Sequence, residues 1–199
     1  MKKAKKVVLA LLCALLLIAC SVAGTLAYLT STTGTVTNTF SAGNVTITLD
    51  ETKVDEYGVA VTPAARTQEN DYKLIPGHTY IKDPTIHVQA GSEECWLFVK
   101  ITNGISGIEA NTQEKPTIAT QMAANWTVID EEKGIYAYNA KVDARTSAQN
   151  VTIFNEFTLG NAVNVSTFDG SEITIIAYAI QADGFATPQL AWAAAPTWN

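Results

Sequence analysis

Two histidines, one cysteine in mid-chain and two acidic clusters are the residues best equipped for chemistry, and their spacing limits what they can do. His78 and His87 stand nine residues apart. A zinc protease helix needs two histidines four residues apart with a glutamate between them, so that both rings face one ion. That motif is not in the chain, and His78 beside Pro76-Gly77 reads as a turn residue, His87 as a solvated strand position. A zinc site assembled from scattered ligands is the alternative. Glu93-Glu94 and Asp130-Glu131-Glu132 read as solvated turns, with calcium as the alternative chemistry. No Gly-x-Ser-x-Gly nucleophile elbow, P-loop or dinucleotide fingerprint occurs. No catalytic residue, metal ligand or cofactor is therefore expected. Cys95 lies in an apolar run and reads as a small buried hydrophobe.

The elements that must position these residues begin with an export segment. Lys2, Lys3, Lys5 and Lys6 precede an apolar run over 7–19, then small residues, the pattern of a secretory signal. Thr25-Leu26-Ala27 is a small-x-Ala ending that makes Tyr28 the first mature residue. Leu17-Ile18-Ala19-Cys20 also reads as a lipobox, which would leave Cys20 lipidated. A third reading keeps residues 7–29 as an uncleaved membrane anchor, since that run is long enough to span a bilayer. Cleavage after Ala27 removes four of the 13 basic residues and none of the 19 acids, leaving a formal charge of −10. Such a surface repels phosphate backbones, so nucleic acid is not an expected partner. Cleavage also removes Cys13 and Cys20, so no disulfide can form within the mature chain. Its stability must come from a packed core, which a chain of this length can bury.

Residues 28–43 form an uncharged arm rich in β-branched threonine, which favours extended backbone. Strict alternation starts at Asn44, with Val45, Ile47 and Leu49 on one face and Thr46, Thr48 and Asp50 on the other. A charged turn is expected over 50–58 and an irregular polar stretch over 59–71. Residues 72–75 read as a short strand stopped by Pro76-Gly77, resuming at Tyr80-Ile81. Another strand starts at Pro84. Residues 95–102 are apolar on both faces, as a central strand covered on both sides would be. Residues 118–124 suggest a helical turn or two, 126–129 and 135–138 a hairpin, and 151–159 one strand. Residues 173–181 form the second strongly apolar strand, and 188–194 a short C-terminal helix. About eight short strands with turns between them predict an all-β sandwich.

Five segments stand out in sequence: Gly-Thr-Leu-Ala-Tyr-Leu-Thr at 24–30, Val-Thr-Asn-Thr-Phe-Ser-Ala-Gly-Asn-Val-Thr-Ile-Thr-Leu at 36–49, and Pro76-Gly77 with Lys82-Asp83-Pro84-Thr85-Ile86. Gly-Ser-Glu-Glu-Cys-Trp-Leu-Phe-Val at 91–99 and Ala-Tyr-Ala-Ile-Gln-Ala-Asp-Gly at 177–184 follow. In their residues and their order these segments resemble the TasA and camelysin family of secreted proteins. The resemblance implies a jelly-roll β-sandwich and processing by a signal peptidase of the SipW type, with cleavage between Ala27 and Tyr28. It implies a secreted protein of the extracellular matrix or cell surface. It also implies fibres of copies of the same chain joined by N-terminal donor strands, with an accessory matrix protein as a further partner. Camelysins are classed as metalloproteases, but the usual machinery is not in this sequence.

The expected organisation is therefore a signal peptide over 1–27, an extended arm over 28–43 and a β-sandwich over 44–199. The arm is too polar to form a core alone, yet it carries a full set of backbone donors and acceptors. An exposed sheet edge is a template for such a strand. Leu29, Val36 and Phe40 are the expected pocket-filling contacts. Head-to-tail addition does not close, so it builds filaments. The alternatives are an arm folded onto its own domain, a lipoprotein anchored through Cys20, and a camelysin-type protease.

Overall fold

The computed structural model describes residues 43–195, and these form an all-β fold with two short α-helices. The strands are β1 (Ile47–Thr52), β2 (Arg66–Thr67), β3 (Thr79–Ile81), β4 (Thr85–Val88), β5 (Cys95–Asn103), β6 (Trp126–Asp130), β7 (Ile135–Tyr138), β8 (Gln149–Thr152), β9 (Glu156–Thr158) and β10 (Ile173–Gln181). The helices are α1 (Ile118–Met122) and α2 (Pro188–Ala193). One sheet has the order β2-β1-β4-β8, the second β10-β5-β7-β6, and β3 pairs with β9. Every pairing is antiparallel.

The alternation after Asn44 places Val45, Ile47 and Leu49 against one shared core. Ile86, Val88 and Val151 enter that core from the first sheet, and Leu97, Val99 and Ile101 from the second. Each such side chain contributes about 1.5–3 kcal/mol when fully buried. Tyr80 and Phe157 from the β3–β9 ladder stack at 4.7 Å in the same core. β5 is central in its sheet, and its second apolar face has its own cover. There Trp96 and Phe98 pack with Ala137, Ala182 and Ala191, the last of these on α2. The Trp192 ring lies 5.1 Å from that of Phe98. Thr187 caps α2 by accepting a bond from the Leu190 N–H, with Pro188 in the first turn.

Three expectations need correction. Residues 72–75 are not a strand. Their polar groups are taken by other partners: Lys73 N–H donates to Glu56 O at 2.8 Å and Ile75 N–H to Tyr80 Oη at 2.7 Å. Residues 151–159 are not one strand either; they divide between β8 in the first sheet and β9 on β3. The consecutive residues Ile153 and Phe154 are both buried, which a regular strand with one solvated face cannot achieve. The third concerns 50–58. β1 runs through Asp50 and Glu51 to Thr52, and Glu51 is only 5% exposed, so the turn starts later than its charges suggest.

The β6–β7 connection depends on Gly134, at φ +65°. A Cβ there would lie 2.3 Å from Ile101 O. The close approach is used, because Ile101 N–H donates to Gly134 O at 2.9 Å.

Candidate functional site

The edges of the two four-stranded sheets differ greatly in what they offer another chain. Among the described strands, β2 is two residues long and carries Arg66, and β8 is four residues long. β6 is five residues long and ends in Asp130. β10 has nine residues, Ile-Thr-Ile-Ile-Ala-Tyr-Ala-Ile-Gln, with no charge and no proline. Proteins protect long edges with charge, proline, brevity or a covering segment, and β10, last in its sheet among the described strands, has neither charge, proline nor brevity in its own sequence. Ile173, Ile175, Ala177 and Ala179 face the shared core, while Tyr178 and Ile180 pack with the outer cluster on α2. Ile176, on the outer side, is 43% exposed.

Two depressions flank β10. The first, of about 350 Å³, is lined by Gly43, Asn44, Val45, Tyr178, Ile180 and Phe185. The described chain thus begins in a groove beside the C-terminal end of β10. The second is a cleft of about 820 Å³ at the other end, with Ile173, Ile175, Phe168, Ile105 and Phe157 among its apolar lining.

The polar wall of that cleft carries a cluster built from three separate chain segments. Lys82 Nζ donates to Glu51 Oε2 at 2.7 Å, and both side chains are nine-tenths or more buried. Asn70 Nδ2 donates to Glu51 Oε1 at 2.9 Å and to Thr52 O at 2.9 Å. Asn70 Oδ1 accepts from Val54 N–H at 3.0 Å. The Tyr72 ring covers Lys82, with its centroid 5.7 Å from Nζ. Burial, and then the Glu51 charge, push the Tyr72 hydroxyl well above its ordinary range. One carboxyl group thus holds an amine on one oxygen and a carboxamide on the other, beside aromatic rings.

His87 and His78 share no partner. His87 Nε2 lies 2.8 Å from Asp50 Oδ1 and its Nδ1 2.7 Å from Asn150 Oδ1, which ties β4 to β1 and β8. His78 Nε2 lies 2.9 Å from Tyr57 O. Among the described residues, no group of three His, Cys, Asp or Glu side chains is close enough to hold a metal. Glu94 pairs with Lys141 at 3.5 Å and Asp130 with Lys133 at 3.0 Å. Cys95 is fully buried, and burial, then the Glu94 charge, raise its thiol to about 11. Ala27, Tyr28, Leu29, Val36 and Phe40, with Cys20, lie outside the described residues.

The sequence reading missed the Glu51–Lys82–Asn70 cluster and the Asp50–Arg66–His87 network, in which Arg66 Nε also donates to Asp50 Oδ1 and its Nη2 to Asp50 O at 3.0 Å. The only local signal for either was a run of charge at the end of a strand. No protein-family model matches the chain, and no curated protein or solved structure matches it. The class that the fold itself defines is an all-β domain with two antiparallel four-stranded sheets around a common core.

Proposed function

We propose that this chain is an exported structural protein, a subunit of extracellular-matrix or cell-surface fibres built by N-terminal strand addition. In this reading a signal peptidase of the SipW type releases the chain between Ala27 and Tyr28. The arm over 28–42 then lies along the β10 edge of a neighbouring copy, and the sandwich has the jelly-roll arrangement. The observation behind the proposal is β10, an uncharged nine-residue strand that stands last in its sheet among the described residues, with a depression at each end. Nine residues of strand extend about 30 Å, a length the arm can match with residues left over as a linker. The arm has no charged side chain to desolvate on docking, and its Leu29, Val36 and Phe40 supply apolar contacts. The acidic remainder of the mature chain keeps subunits soluble until the arm engages. The resemblance to secreted fibre proteins points the same way, and an accessory matrix protein could start or end the filament.

Deleting residues 28–42 from the mature chain tests this reading. The expected product is a folded monomer that does not elongate. Electron microscopy showing fibres from the shortened chain as readily as from the full mature chain would sink the arm mechanism. If the arm instead folds onto its own domain, the full mature chain remains monomeric in sedimentation at every concentration.

A further inference from the structure

We propose that Lys82 and Asn70 become joined by an isopeptide bond, with Glu51 as the catalytic acid and base. The proposal stands on the geometry of the cleft wall and does not depend on fibre formation. Lys82 and Asn70 are brought from different segments to opposite oxygens of one buried carboxyl group, at 2.7 and 2.9 Å. An amine and a carboxamide held on one carboxyl are a nucleophile and an electrophile sharing a proton carrier. Fixed proximity of this kind replaces the entropy cost of an encounter. The backbone N–H of Val54 donates to Asn70 Oδ1 at 3.0 Å, so the oxygen that gains negative charge already has a donor. The leaving nitrogen, Nδ2, sits on Glu51 Oε1, the oxygen that can deliver a proton to it. The Tyr72 ring over Lys82 Nζ, with Phe157 at 5.3 Å from Tyr72, keeps bulk water from the amine.

The reaction balances without any co-reactant. Glu51 takes a proton from the Lys82 ammonium group. The neutral Nζ attacks Asn70 Cγ and forms the Nζ–Cγ bond, with the carbonyl electron pair moving onto Oδ1 toward the Val54 N–H. Glu51 passes its proton to Nδ2 and takes a second proton from Nζ. The Cγ–Nδ2 bond then breaks, the C=O reforms, and ammonia leaves through the cleft. Nothing is oxidised or reduced. The product is a secondary amide that ties the connection after β2 to the connection between β3 and β4. A cross-link there holds residues 68–74 over the core, where no strand pairing holds them.

The experiment is intact-mass measurement of the purified, denatured full-length mature protein, followed by tryptic mapping. The expected mass is lower than that of the unlinked chain by about 17 Da, the mass of one ammonia. Trypsin should leave Lys82 uncut and yield a branched product joining the 67–73 and 74–100 peptides. Lys82→Arg and Glu51→Gln should each give the full unlinked mass of its own sequence and three unbranched peptides, 67–73, 74–82 and 83–100. A wild-type protein of full mass, with free 67–73 peptide and cleavage after Lys82, overturns the proposal. That measurement needs no variant, so it decides the matter even if a substituted protein fails to fold. A branched peptide that persists in Glu51→Gln would remove Glu51 from its catalytic role and overturn the mechanism.

Discussion

Introducing a charge at Ile176 separates the edge role of β10 from its role in the fold. Ile176 is 43% exposed, and its partner across the ladder is Lys100 on β5. Burying a whole isoleucine is worth about 1.5–3 kcal/mol, so the half-buried side chain contributes about 1 kcal/mol to the isolated subunit. Ile176→Glu gives up that contribution but places a carboxylate opposite Lys100, and an opposite-charge cross-strand pair returns about 0.2–1 kcal/mol. The monomer should therefore lose no more than about 1 kcal/mol, a shift of about 1 M or less in urea midpoint. Ile176→Lys faces Lys100 with a like charge and should be the less stable of the two. Docking behaves differently, because a strand laid beside β10 covers the outer side of position 176. Covering a charge there costs about 1–3 kcal/mol, and the lost apolar contact adds about 1 kcal/mol.

Together these costs raise the concentration needed for elongation by roughly 30- to 1,000-fold, at a factor of ten per 1.4 kcal/mol. Both variants should stop elongation although they affect monomer stability unequally. The assay pairs urea unfolding of the monomer with sedimentation and negative-stain microscopy across a concentration series. If folded Ile176→Glu and Ile176→Lys elongate at the wild-type concentration, the β10 edge is not where the arm adds. If the wild-type protein itself never elongates, the fibre reading fails before the choice of edge is reached.

Three further outcomes are expected, one read from sequence and two from contacts. The mature N-terminus should be Tyr28, read by mass spectrometry of the secreted protein; a diacylglyceryl group on Cys20 would instead make it a lipoprotein. Gly134→Ala should cost about 2–4 kcal/mol in urea unfolding, because strain at positive φ adds to a contact that forces the hairpin away from Ile101 O; a loss under about 0.5 kcal/mol would show that the turn relaxes freely. Partial burial alone would raise the Asp50 carboxyl, but its bonds to Arg66 and His87 win and hold it below its ordinary 3.8. A depressed folded value means that this stability is present above pH 3.8 and is lost as pH falls through the lowered value, so Asp50→Asn should flatten the acid limb of the stability curve. An acid limb unchanged in Asp50→Asn would refute that assignment.

The parts of the fold legible from sequence were those fixed by local periodicity. Residues 95–102 are apolar on alternate positions of both faces, and β5 is indeed covered by the shared core on one side and by α2 on the other. Residues 173–181 and the 126–138 hairpin were legible for the same reason, since pattern and turn agree in each. Periodicity failed where tertiary contacts took over. Residues 72–75 alternate well enough for a strand, but Tyr80 Oη and Glu56 O satisfy their N–H groups. Ile153 and Phe154 break the period because the chain leaves one sheet there for the β3–β9 ladder.

The Glu51–Lys82–Asn70 cluster was illegible for a stronger reason. A charged run after a strand ordinarily marks solvent, because isolated charges are costly to bury. Glu51 can enter the interior only because Lys82 and Asn70 meet both its oxygens, and those partners lie 31 and 19 residues away. Nothing in the local pattern encodes that meeting; it follows from the pairing of β1 with β2 and β4, which carries the flanks of all three residues to one end of the first sheet. A buried ion pair is weak support for stability on its own, since desolvation offsets much of the attraction. Its presence beside a carboxamide therefore calls for a chemical reason more than an energetic one. Asn70 already serves the fold by meeting Glu51 Oε1 and bonding Thr52 O and the Val54 N–H, and a proton carrier between amine and amide gives the same contacts a chemical use.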